Sequence, residues 1–143
     1  MNAARQGRGA SSWMLTICGV WLVALGLYFI VLRPPLLPED ARFMGTTIAQ
    51  IQTTVPGLSR WLHMVFTVLG GFMAGAGVLA AFVSYVVIPR RVNGAAWAIA
   101  LSGVLTVGLM SALNFALSSD FKWLLLVPAA SWLTGLLLYV AGR

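Results

Sequence analysis

A handful of residues in this sequence carry side chains able to bind or react: Glu39, Asp40, Arg42, His63, Asn114 and Asp120. A lone imidazole near carboxylates and a carboxamide could hold a metal ion, relay a proton or anchor a polar headgroup. Each of those roles makes demands. A zinc site needs three or four ligands at about 2 Å, and the chain has a single histidine, a single cysteine and no H-x-x-x-H or H-E-x-x-H spacing. One histidine also falls short of the two axial ligands of a membrane b-type haem. Cys18 has no partner for a thiol–disulfide relay, and Thr67, Ser84 and Ser111 have no neighbouring base to activate them. The residues therefore read as candidate ligand-binding groups, with no metal, no cofactor and no catalytic residue expected. The plainer reading makes His63 a hydrogen-bonded interfacial histidine and the acids part of a structured loop.

Elements that could position these residues follow from composition. Of 143 residues, 60% are hydrophobic and 8% charged, against about 25% charged in soluble domains. That excludes a soluble enzyme, a disordered regulator and, with one cysteine, a disulfide scaffold. A span needs roughly 20 apolar residues, and residues 13–32, 61–88, 95–117 and 123–141 qualify, none containing Asp, Glu, Lys or Arg. Arg33-Pro34-Pro35 and Pro89-Arg90-Arg91 close the first two, and Asn93 and Asp120 are expected to cap the last two. Pro128 is expected to kink the fourth. Trp13, Trp61, Trp97 and Trp123 stand near span starts, where interfacial rings are preferred. The first span is too long for a signal-peptide core and reads as a retained helix following a cytoplasmic tail, residues 1–12.

The expected fold is an all-α membrane protein: a single domain, an antiparallel four-helix bundle, with short amphipathic helices in the outer loop 33–60. Short connections make spans two and three, and three and four, neighbours. Arg5, Arg8, Arg90, Arg91 and Arg143 fall on one side; Arg33, Arg42, Arg60, Lys122 and all three acids fall on the other. The positive-inside rule then gives N-in, C-in. The excess positive charge reads as topology and contact with the lipid bilayer, not as nucleic-acid binding.

Within the loop, Pro38-Glu39-Asp40 reads as a helix start, with a Glu39–Arg42 pair at helical spacing. Thr47 and Gln50 have the form of a capping box, and Ile48, Ile51 and Val55 form an apolar stripe. In the second span, His63, Thr67, Gly70, Ala74, Gly77, Ala81 and Ser84 recur at alternating steps of four and three, with Gly71 and Gly75 alongside. Small side chains let helices approach closely where hydrophobic drive is weak, so Gly70, Gly71, Ala74, Gly75, Gly77 and Ala81 are expected to pack helices. Antiparallel packing would bring His63 and Asn114 to a similar depth beside Asp120 and the loop acids.

The stretch from Leu37 to Gly45 (Leu-Pro-Glu-Asp-Ala-Arg-Phe-Met-Gly), followed by Val65 to Met73, resembles small four-span bacterial inner-membrane proteins that carry no assigned activity. More distantly, the layout is similar to DoxX-like membrane proteins. The resemblance implies a multi-pass inner-membrane protein and assigns no catalytic residue. Two functions remain open: a small subunit, scaffold or assembly partner of a membrane complex or homo-oligomer, or a binder or transporter of a lipid, quinone or other apolar molecule at the outer end.

Overall fold

The computed structural model describes residues 9–142, so the residue 1–8 part of the expected tail lies outside the described residues. Among them the chain is helical, with no strand. Helix α1 is Ala10–Val31, α2 Pro38–Phe43, α3 Ile48–Thr54 and α4 Leu58–Phe82, the last continuing through a π-helical turn, Val83–Val87, and a 3₁₀ turn, Ile88–Arg90. Then α5 (Ala95–Gly103) runs through a second π-helical turn, Val104–Gly108, into α6 (Leu109–Ala116), and α7 is Lys122–Ala141. Four helical stretches, Ala10–Val31, Leu58–Arg90, Ala95–Ala116 and Lys122–Ala141, are long and apolar enough to cross a membrane.

The closest backbone-to-backbone packing is between α1 and α4. A Cβ on Gly26 would lie 2.5 Å from the Ala74 nitrogen, and one on Gly70 would lie 2.6 Å from the Gly26 carbonyl oxygen. About two helical turns further, a Cβ on Gly77 would sit 2.6 Å from the Val23 nitrogen, and one on Gly19 2.6 Å from the Ala81 nitrogen. Partner numbers fall along α4 as they rise along α1. Backbone touches backbone because these positions have little or no side chain. Gly71 and Gly75 take no part: nothing lies within 4 Å of a Cβ at either. They are offset around the helix from the Gly70–Gly77 row, which corrects the expectation that both glycine series pack helices.

The π-helical turn in Leu58–Arg90 has a local cause. Pro89 has no N–H to donate, and the Ile88 N–H reaches back to the Val83 carbonyl. The Ser84 carbonyl thereby loses its ordinary helical donor, and the Ser12 hydroxyl of α1 supplies one. This contact extends α1 three residues beyond the expected start at residue 13.

Helix α1 also packs against α7: the Ser131 hydroxyl donates to the Met14 carbonyl at 3.0 Å, and Leu15 fills the space over Gly135. Helices α5 and α6 attach to α7, not to α4. The Trp132 indole lies over Gly103, where a Cβ would be 1.9 Å from the ring, and its Nε1–H donates to the Ile99 carbonyl at 3.1 Å. The Ser111 hydroxyl donates to the Leu125 carbonyl at 3.0 Å. The expected pairing of the second and third spans is therefore replaced by the order α4, α1, α7, α5–α6. The turn at residues 91–94 draws two helix ends together, with Arg91 and Gly94 at φ 50 and 85. Along their length, Gly70 and Gly77 of α4 are occupied by α1, and Gly103 of α5 by Trp132 of α7. A cleft of about 270 Å³ lies between them, lined in part by Ala80, Ser84, Ser102, Thr106 and Trp132.

Expected caps also move. The residues preceding α5 and α7 are Gly94 and Phe121, and neither Asn93 nor Asp120 caps a helix. Instead the Ser119 hydroxyl accepts from the Phe121 N–H at 3.1 Å. Pro128 is buried inside α7.

Candidate functional site

The segment from Arg33 to Gly57 folds back over one end of the long helices. Pro38 opens α2, and the Asp40 carboxylate accepts the Leu37 N–H at 2.8 Å, satisfying a donor that the short helix leaves free. Thr47 accepts the Gln50 N–H at 3.2 Å, but the Gln50 side chain turns to the Thr46 hydroxyl, so only half of the expected capping box forms. Leu36, Ala41 and Ile51 bury together against Ile48, Leu58 and Leu62. The loop stripe thus packs on the chain itself, while Val55 remains exposed.

This fold carries Glu39 inward. The residue is 7% exposed, and its carboxylate accepts the Ser119 hydroxyl at 2.8 Å and the Asp120 N–H at 3.0 Å. Both oxygens are thereby bonded, as a buried carboxylate requires. Arg42 does not pair with Glu39; it reaches across to Asp120 at 3.1 Å, in an exposed pair. Glu39 is unavailable to Arg42 because the 117–121 connection holds it.

Arg33 forms the other side of the site. Its guanidinium lies 3.6 Å from the centroid of the Phe66 ring and 5.1 Å from that of Phe29, with Asp40 3.7 Å away. It also donates to the Pro34 carbonyl at 3.0 Å. Burial lowers its pKa from the ordinary value, while Asp40, then Tyr28 and Glu39, oppose that shift.

Between these groups and the helices lies a cavity of about 250 Å³. Its walls include Leu25, Tyr28 and Phe29 of α1, with Phe121, Leu124 and Leu125 at the start of α7. Arg33, Glu39, Asn114, Ser119 and, through its phenol, Tyr28 are the polar members of the lining. Asn114 donates through Nδ2 to the Met110 carbonyl at 2.9 Å.

The structure brings Glu39, Arg42 and Asp120 into one bonded cluster and sets Asn114 in the adjoining cavity. His63 is not part of it. It is exposed on α4 and does not line the cavity. The expected His63–Asn114 grouping fails because α4 packs on α1 whereas α6 packs on α7. Among the described residues, no three of His, Cys, Asp and Glu gather as a metal-binding group. Sequence reasoning missed Arg33, Ser119 and the aromatic wall. In the sequence, Arg33-Pro34-Pro35 signals a helix stop and a topology charge, and Ser119 acquires its role through a contact remote in sequence.

The geometry can hold a small molecule in an apolar chamber with a few fixed polar groups, the usual make-up of a ligand site. In comparisons with known proteins, the chain matches no family model, no curated protein and no solved structure.

Proposed function

We propose that this chain is a multi-pass protein of the bacterial inner membrane, an antiparallel four-helix bundle with both termini inside, which binds a lipid, quinone or other apolar small molecule without chemically transforming it. The observation that carries this reading is the 250 Å³ cavity, walled by α1 and α7 and fitted with Arg33, Glu39 and Asn114. Four long apolar helices support the membrane setting. The falling partner numbers of α1 and α4 support the antiparallel arrangement, and the arginine bias toward the side of Arg90 and Arg91 supports the orientation. The test is solvent extraction of protein purified in mild detergent, followed by mass spectrometry. A molecule retained by the wild type and absent from Leu125→Trp is the expected result; identical extracts would refute the reading.

A second reading, as a small subunit or assembly partner of a membrane complex or homo-oligomer, draws on Gly71 and Gly75. They leave open space on an exposed apolar face of α4 with Val68, Phe72 and Leu79. Under that reading, Gly75→Leu disperses a complex that native electrophoresis detects around the wild type. A wild type migrating as a lone monomer would remove it.

A further inference from the structure

The chemical class of the ligand follows from which cavity groups are already occupied, and the inference rests on the binding reading above. Both Glu39 oxygens accept hydrogen bonds, from the Ser119 hydroxyl and the Asp120 N–H. The Arg33 guanidinium has the Pro34 carbonyl, the nearby Asp40 carboxylate and the Phe66 ring face. Asp40 in turn holds the Leu37 N–H. The two charged residues of the lining, Arg33 and Glu39, are therefore already engaged within the chain, Arg33 by Asp40 and Pro34 and Glu39 by Ser119 and Asp120. A ligand carrying net charge would lose its hydration without gaining an unengaged counter-ion, a costly exchange in an apolar chamber.

Asn114 differs. Its carboxamide has two donors and an acceptor oxygen, and one donor is bonded to the Met110 carbonyl. The second N–H and the oxygen remain for a group that both donates and accepts. Around it stand leucine side chains and the rings of Tyr28, Phe29 and Phe121. A chamber of about 150 Å³ holds benzene; in proportion, one of about 250 Å³ holds roughly ten carbons.

We infer that the loop-end cavity binds an uncharged amphiphile of about this size, with a hydroxyl or carboxamide head on Asn114 and a hydrocarbon or ring body between α1 and α7.

The test uses the full chain, ¹⁵N-labelled, in phosphatidylcholine nanodiscs, with three probes of equal tail length at neutral pH: 1-octanol, octanoate and octylammonium. The readout is the side-chain amide signal of Asn114, assigned by its loss in Asn114→Leu. Octanol is expected to shift that signal saturably, with an apparent Kd at least tenfold below that of either ion. Leu25→Trp and Leu125→Trp, filling the chamber from different helices, are expected to abolish the saturable shift. An ion that binds as tightly as octanol, and is displaced by the same fillings, overturns the assignment to uncharged ligands while leaving the cavity a binding site. No saturable shift with any probe, or shifts unchanged in both filled variants, overturns the binding reading itself.

Discussion

Glu39 and Ser119 stand 80 positions apart in the sequence and share a hydrogen bond of 2.8 Å. Through it, α2 is fastened to the connection that precedes α7, and both residues line the cavity. Glu39→Ala leaves the Ser119 hydroxyl and the Asp120 N–H without their acceptor. Stranding such groups costs about 1–3 kcal/mol, most of it local to the loop. Hydrogen exchange should show faster exchange across α2 and at Asp120, with little change in α4. Ser119→Ala removes two bonds, the one to Glu39 and the one accepted from the Phe121 N–H, while Asp120 still donates to Glu39, so faster exchange should extend to Phe121 at the start of α7.

The α1–α4 contact discriminates between glycines that a sequence pattern treats alike. Gly26→Ala or Gly70→Ala forces a methyl against opposing backbone, since the space at both is below 3 Å. Overpacking of this kind costs roughly 1–3 kcal/mol, occasionally more. Gly71→Ala and Gly75→Ala meet nothing and gain about 1 kcal/mol in helix propensity at most. Unfolding by graded SDS addition from mild detergent should separate the two groups. Equal destabilisation by all four would contradict the packing described.

Those glycines mark what a linear reading can reach and where it stops. A second span at 61–88, found as Leu58–Arg90, and the small residues at Gly70, Ala74, Gly77 and Ala81 follow from the local sequence, which needs no knowledge of the partner. Which helix fills each small-residue row is a non-local property. The row on α4 meets Gly19, Val23 and Gly26 of α1, while Gly103 meets Trp132 of α7. Connection length therefore misled for α4 and α5: a short turn joins ends but does not choose faces. Glu39, Arg42 and Asp120 were visible as polar residues in an apolar chain. Their bonding depended on how α2 docks, so the neighbouring Arg42 lost its place to a serine remote in sequence. His63 had the most reactive side chain and the least informative position.

Trp132 and Gly103 hold α5 to α7. A methyl at Gly103 would overlap the indole, since the ideal Cβ lies 1.9 Å from both Cε2 and Nε1. Gly103→Ala should therefore expel or rotate the ring, lose its hydrogen bond to Ile99 and cost about 1–3 kcal/mol. Trp132→Phe keeps most of the apolar contact but loses the N–H donor, for about 1 kcal/mol. Near-ultraviolet circular dichroism should report the displaced indole in Gly103→Ala. An unchanged spectrum and stability would show that the ring does not occupy this position.

The two arginines at the loop end should respond unequally to substitution. The Arg42–Asp120 pair has side chains 58% and 64% exposed, and such ion pairs contribute about 0–1 kcal/mol; Arg42→Ala should shift stability by about 0.5 kcal/mol at most. Arg33 is 10% exposed at its side chain and lies flat enough on Phe66 to bring its central carbon within 3.6 Å of the ring centroid. A lysine ammonium has neither the plane nor the fork of donors, so Arg33→Lys should cost about 1–2 kcal/mol. A double-mutant cycle with Phe66→Leu isolates the pair, with a coupling of roughly 1 kcal/mol expected. Additive single effects would mean that Arg33 is held by Pro34 and Asp40 alone, and that the aromatic face contributes only its area.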